Sequence, residues 1–231
     1  MNDQTLIYNL NIIIICIVVR GMIEKTINRI GSILIYPRKT IDLLVVEDTN
    51  FLEGILVSTL ALLGFSISLF VLSTGQSSFP IWLLWLFSFA FILVSWILFV
   101  FLFHKVTTGI YKVPGIFQEF YTISSYSLST VILPLIIVLI DLLIFGSVEM
   151  IPLQLILLQL GLGIIWFVWM LSLFGISAMR YYRIDVKQFL VSLIISLTIL
   201  FLIVIPLIVF FALTIFQLTM HFQITILGGV L

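Results

Sequence analysis

The sequence predicts an all-α, polytopic membrane helix bundle: five transmembrane helices preceded by N-terminal amphipathic interfacial helices. Three observations predict it. Hydrophobic types make up 63% of the 231 residues, and 10 Lys and Arg stand against 10 Asp and Glu. Soluble chains run at roughly 45–50% apolar and about 25% charged, so this composition could not cover a soluble surface. Five apolar stretches each reach the roughly 20 residues that a helix needs to cross bilayer hydrocarbon. Threaded with the N-terminus in the cytoplasm, these five spans put every Lys and Arg on one side, as the positive-inside rule requires. The runs are too long and too uniform for barrel strands.

The elements follow in chain order. Residues 1–21 form an apolar N-terminal segment of open status. Leu6–Val19 is about 14 residues long, or roughly 21 Å as helix, short of a hydrocarbon core of about 30 Å. A sixth span, a signal-peptide core, an upstream start before a true first residue at Met22, and an interfacial segment all remain open. Residues 22–50 read as a cytoplasmic amphipathic interfacial region. Ile23, Ile27, Ile30 and Leu34 recur at helical spacing beside Thr26, with Glu24, Lys25, Asn28 and Arg29 on the other side. Pro37 ends that helix, Arg38 and Lys39 meet lipid headgroups, and Thr40 caps a second short helix through Val46. Glu47, Asp48 and Glu53 form an acidic patch before the first span.

The five-span domain covers residues 51–216. Its spans are approximately Phe51–Leu72, Pro80–Phe103, Ser127–Phe145, Leu153–Ala178 and Phe189–Phe216, and residues 217–231 form a short extracytoplasmic tail. Asn50 with Glu53 three residues on reads as a capping box. Pro80 and Pro152 suit helix starts, whereas Pro134 and Pro206 fall inside spans and invite kinks. The loop His104–Tyr126 carries Gly109, Pro114-Gly115, Phe117, Glu119 and Phe120, which suggests a short surface helix after a turn. It either lies against the bilayer or closes the bundle from below. His104 and Lys105 are expected to snorkel to the membrane surface.

Chemistry-bearing residues are few. Cys16 is alone, so no disulfide forms within the chain. Zero net charge and the lack of a long basic run speak against nucleic acid as a partner. His104 and His221 fall at opposite membrane faces, so no metal set converges, and no cofactor motif is visible. The hydroxyl-rich stretch Thr122–Thr130 has no histidine base nearby, which leaves nucleophilic catalysis unsupported. Asp141 is the one carboxylate well inside a span. It reads either as an interfacial aspartate reaching water or as an intramembrane polar site, with Gln217 and His221 as partners. Gly54, Ser58, Ala61, Gly64 and Ser68 form a stripe of small residues along the first span, and Gly175 belongs to a looser set on the fourth, where helices can approach closely. Arg38, Lys39, Glu47, Asp48, Gly115, Phe117 and Glu119 are the candidate cytoplasmic interaction surface.

The order of these features carries a resemblance. An amphipathic lead ends in Tyr36-Pro37-Arg38-Lys39-Thr40, followed by Ile41 and Leu43. Two spans follow, then Gly115-Ile116-Phe117 with Glu119, then Tyr126-Ser127 leading into a span with Pro134. Trp166 and Trp169 precede Gly175, and a basic loop leads to the last span. From about Ile30 to Phe216 the chain resembles the Yip-domain family of five-span membrane proteins. For eukaryotic members the resemblance implies binding to small GTPases of the Rab type and to partner Yip proteins, with roles in membrane trafficking or shaping. Their Asp-Leu-Tyr-Gly-Pro and Tyr-Gly-Tyr type motifs do not occur in this sequence. The chain is more similar to the short prokaryotic members, which implies a prokaryotic cell membrane.

The reading that results is a non-enzymatic scaffold or partner-binding, membrane-organising protein. Its partners would be the lipid bilayer and a membrane-protein partner or a second copy in a homo-oligomer. The alternative is a transporter or permease subunit with Asp141 on a polar path that also uses the in-span prolines, Gln154 and Gln159.

Overall fold

The structure is a computed structural model, and it describes residues 20–47, 49–73, 81–131, 136–137, 140, 143–144 and 153–228. Among the described residues all regular structure is helical. The helices are α1 (residues 20–35), α2 (Pro37–Val46), α3 (Phe51–Ser73), α4 (Ile81–Tyr111), α5 (Phe117–Leu128, continued by a 3-10 turn Ser129–Val131), α6 (Leu153–Tyr182) and α7 (Val186–Gly228). Asp48, Pro134, Asp141 and Pro152, and with them part of the predicted third span, lie outside the described residues, as do residues 1–19.

Among the described residues, three stretches are long and apolar enough to cross a membrane: Ser88–Tyr111, Gly161–Tyr182 and Val186–Leu207. Many of their large apolar side chains, among them Ile165, Ile194 and Leu202, point away from the protein. Outward-facing aliphatic chains on uninterrupted helices are what a hydrocarbon solvent stabilises. The helices run past the predicted spans. α4 continues to Tyr111, α6 to Tyr182, and α7 to Gly228, so residues 217–228 are helical. Pro206 lies inside α7, and the helix continues through it.

Local chemistry sets the boundaries. Tyr36 precedes Pro37 and leaves the helical region (φ −129°, ψ 63°), because the proline ring crowds a helical residue before it. Pro37 then occupies the first turn of α2, where its missing N–H goes unneeded. Thr40 is therefore inside α2, not at its cap, and its hydroxyl donates to the Tyr36 carbonyl at 2.9 Å. α4 and α6 end at Lys112 (φ 53°) and Arg183 (φ 55°), the left-handed stop more often filled by glycine. α7 begins with a reciprocal capping box: Gln188 N–H donates to Asp185 Oδ1 at 2.7 Å, and Asp185 N–H to Gln188 Oε1 at 3.1 Å.

Contacts gather the ends of α4 and α6 with the starts of α3, α5 and α7. The Phe51 and Phe117 rings meet at 6.3 Å, the Tyr111 hydroxyl donates to the Gln188 carbonyl at 3.3 Å, and Arg180 pairs with Asp42 at 3.3 Å. At this end sits an aromatic core. Phe103 stacks on Phe120 (5.7 Å, 23°) and meets Phe174 edge-on (5.1 Å, 76°), and Phe120 touches Tyr182 at 4.8 Å. Such ring pairs add about 0.5–1.5 kcal/mol each beyond the area they bury.

The loop His104–Tyr126, expected to hold a short surface helix against the bilayer or closing the bundle from below, carries α5, which runs on into the predicted third span. Every residue of α5 from Phe120 to Leu128 is buried, packed chiefly between α3 and α6. Its hydroxyls bond within the protein: Ser124 and Ser125 donate to the Tyr121 carbonyl, and Thr122 to the Asn50 and Gln118 carbonyls. Serine and threonine satisfied in this way can be buried.

Close approach of α3 and α5 requires Gly54. A Cβ there would lie 2.7 Å from the Thr122 Cα and 2.8 Å from its Oγ1, and backbone cannot swing aside. Gly54→Ala should therefore destabilise the protein by about 1–3 kcal/mol, the usual cost of overpacking. Gly161→Ala, where a Cβ meets nothing within 4 Å, should leave the unfolding temperature in detergent unchanged or slightly higher. Equal effects of the two would refute the α3–α5 contact.

Candidate functional site

The most distinctive chemistry lies where α1, α2, α3 and α5 meet. Arg29 projects from α1 and donates from Nη1 to Glu53 Oε1 and from Nη2 to Glu47 Oε2. The Tyr126 hydroxyl, from α5, donates to the same Glu53 oxygen. Lys25 Nζ stands 3.6 Å from Glu47 Oε2. Glu53 is only 4% exposed and Tyr126 is fully buried, whereas the Glu47 side chain is 45% exposed. The cluster therefore grades from a buried inner pair to a solvated outer one.

Each member has a local cause. Asn50 caps α3 by accepting from the Leu52 N–H at 3.0 Å, but the second arm of the predicted capping box is not made. Glu53 turns away from the Asn50 N–H because an unpaired carboxylate in this interior would be costly, and Arg29 and Tyr126 supply charge-assisted hydrogen bonds. Arg29 corrects the sequence reading too. Instead of facing water with Glu24 and Asn28, it lies on the α1 face that holds the buried Thr26 and Ile33 and the half-buried Ile30. Ile33 packs there with Ile41 and Leu44 of α2 against Val57, Ile123, Tyr126 and Leu173. α1 and α2 are thus pinned to the bundle, while Ile23 and Ile27 stay exposed.

The electrostatics follow the grading. Hydrogen bonding from Arg29 holds the Glu47 carboxyl below its usual value. Burial works to lower the Arg29 pKa, but the Glu53 hydrogen bond and charge outweigh it and the net shift is upward. The guanidinium therefore stays charged.

A second polar group closes the α4–α5 turn. The Tyr182 hydroxyl lies 2.7 Å from His104 Nδ1, and Tyr181 accepts from the Ile116 N–H at 2.8 Å while its hydroxyl lies 2.7 Å from Glu119 Oε2. His104 is consequently buried instead of snorkelling, while Lys105 is exposed, with Nζ 5.7 Å from the Phe101 ring centre. A Cβ at Gly115 would meet the Tyr182 ring at 2.7 Å. Gly115 is exposed beside the Tyr182 ring, and Phe117 and Glu119 are half-buried, engaged by the His104 ring and the Tyr181 hydroxyl. Arg38 and Lys39 are exposed.

On the small-residue stripe, Gly54, Ser58, Ala61 and Gly64 are buried, and the Ser58 and Tyr121 hydroxyls are 2.7 Å apart. The Ser68 side chain lies outside the described residues, as do those of Gln154, Gln159, Gln217 and His221. Gly175 is buried against the Phe189 ring, 3.1 Å from where a Cβ would stand. Among the described residues no three His, Cys, Asp or Glu side chains gather as metal ligands.

Sequence reasoning missed Arg29, Tyr126 and the Asp185–Gln188 box. The box was readable from its Asp-x-x-Gln spacing. Arg29 was readable from the stripe Thr26, Arg29, Ile30, Ile33, which places one cation among the residues that become buried.

Fold and site together define an all-helical, multi-pass membrane protein with an N-terminal helical hairpin fixed to it by a buried ion cluster. Compared with protein-family models, curated proteins and solved structures, the chain matches none.

The grading of the cluster makes its two carboxylates unequal. Glu53→Ala should cost about 3–5 kcal/mol, because it strands Arg29 in a buried setting. Glu47→Ala should cost about 0–1 kcal/mol, as for a surface pair. Denaturation in detergent monitored by circular dichroism checks both. The pH sign follows from Glu47: its carboxyl is held low in the folded state, so its contribution is complete above the ordinary carboxylate range and disappears as pH falls through the lowered value. Wild type should lose that increment on acidification, and Glu47→Gln should lack it. Parallel stability–pH curves for the two proteins would contradict this.

Proposed function

We propose that the chain is a non-enzymatic membrane scaffold of five spans, with its N-terminus in the cytoplasm and its C-terminus outside. It organises membrane or holds a protein partner through its cytoplasmic end. The observation that carries the reading is the construction of that end. The α1–α2 hairpin is locked to the bundle by Arg29, Glu47, Glu53 and Tyr126, and it presents Ile23, Ile27, Leu43 and Val46 outward. A helix so fixed cannot tumble freely on the bilayer, so exposed apolar residues on it are held at one height beside the spans.

Five spans are supported by the helix directions. α3, α5 and α7 start at the end where α4 and α6 finish, and α5 with its 3-10 turn leads into the apolar stretch to Phe145. All ten Lys and Arg belong in sequence to segments at that end, which favours a cytoplasmic location for it. The likeness in feature order to the short prokaryotic Yip-domain proteins agrees with a scaffold of this kind in a prokaryotic cell membrane. Small-GTPase binding rests on that likeness alone.

Two measurements test the proposal. With Cys16 replaced by alanine, an impermeant maleimide should label Ser77→Cys and Lys112→Cys from opposite membrane sides; labelling from one side would sink the topology. Reconstitution into liposomes should change vesicle shape or retain a co-purifying membrane protein, and Glu53→Ala should weaken either effect. Unaltered vesicles with no retained partner would overturn the scaffold reading.

A further inference from the structure

Helix α1 carries three distinct faces. At about 100° per residue, Thr26 and Ile33 fall toward the bundle, Ile23 and Ile27 on an exposed apolar flank, and Glu24, Lys25, Asn28 and Ser32 on a polar face. Between that polar face and the end of α2 lies an open cleft of about 440 Å³, lined by Glu24, Lys25, Asn28, Arg29, Ser32 and Glu47 beside the bare backbone of Gly21. Every one of these side chains is a hydrogen-bonding or charged group, and the scaffold reading uses only Arg29 and Glu47.

The charges in the cleft are not equally engaged. Arg29 is taken by Glu47 and Glu53. Lys25 is held only loosely, 3.6 Å from Glu47 with more than half of its side chain exposed. Glu24 enters no ion pair among the described residues. A lone anion entering the cleft would meet the Glu24 and Glu47 carboxylates, and a lone cation would meet Lys25 and Arg29. A ligand carrying both signs can set its anion on Lys25 and its ammonium on Glu24, with Asn28 and Ser32 as neutral partners. The rim toward the apolar flank is open as well. Gly31 has nothing within 4 Å of its Cβ position, and Ile27, 58% exposed, is about 60° round the helix from Glu24.

From this we propose that the cleft binds a zwitterionic phosphoamine, the chemistry of a phosphatidylethanolamine headgroup or of a soluble phosphoethanolamine. A headgroup would reach it over Gly31 with its acyl chains along Ile23 and Ile27. The anionic oxygens lie at Lys25 and the ammonium at Glu24.

The test uses the full chain in nanodiscs of phosphatidylcholine, doped with phosphatidylethanolamine or with phosphatidylglycerol, and in undoped nanodiscs with soluble O-phosphoethanolamine. A ligand that binds only the folded protein raises its unfolding temperature. Phosphatidylethanolamine should raise it in the wild type, and phosphatidylglycerol should not. Glu24→Gln and Lys25→Gln, both at exposed positions, should leave the undoped value unchanged and lose the rise. A rise with soluble O-phosphoethanolamine alone assigns the same site to a soluble ligand. An equal rise with phosphatidylglycerol, a response kept in Glu24→Gln, or no response to either phosphoamine overturns the proposal.

Discussion

The end of the bundle where α1, α2, α3 and α5 meet depends on one buried charge, the Glu53 carboxylate in the first turn of α3. A carboxylate in a largely apolar interior is tolerated only where its lone pairs are filled by strong donors. Arg29 and Tyr126 fill them, and each belongs to a different element. The requirement of one side chain thereby fixes the positions of α1 and α5 against α3. Glu47 extends the arrangement outward, taking the second arm of the guanidinium and tying the end of α2 to α1.

The second constraint is steric. α5 can lie within the bundle only because Gly54 leaves room for the Thr122 backbone and because the α5 hydroxyls are satisfied by nearby carbonyls. Ring packing then takes over. Phe120 lies against Phe103, Phe174 and Tyr182, so one residue of α5 joins α4 and α6. The described outer surfaces of α6 and α7 remain largely apolar.

Composition and hydropathy made the helical membrane architecture legible, and the starts of α3 and α6 fell where apolar length and capping chemistry put them. The site was less legible, because hydropathy treats a residue as polar or apolar without asking what it will meet. Arg29 reads as a solvated cation until Glu53 is brought to it from another helix. Ser124, Ser125 and Ser127 read only as part of a hydroxyl-rich stretch until the backbone carbonyls that accept from them are in place. His104 followed the same pattern, since its partner Tyr182 is distant in sequence. Local signals suffice for helix ends; long-range pairing does not announce itself in a window of neighbouring residues.

The order of the cluster along the chain bears on biogenesis. Arg29 leaves the ribosome before Glu53, and Tyr126 leaves well after both. When α3 packs into the apolar interior, its acidic residue can already be neutralised by the preceding helix, which lowers the penalty for burying a carboxylate there. The phenol arrives later, so closure of the cluster waits for α5 to be made, and membrane insertion and final docking become separate events in synthesis.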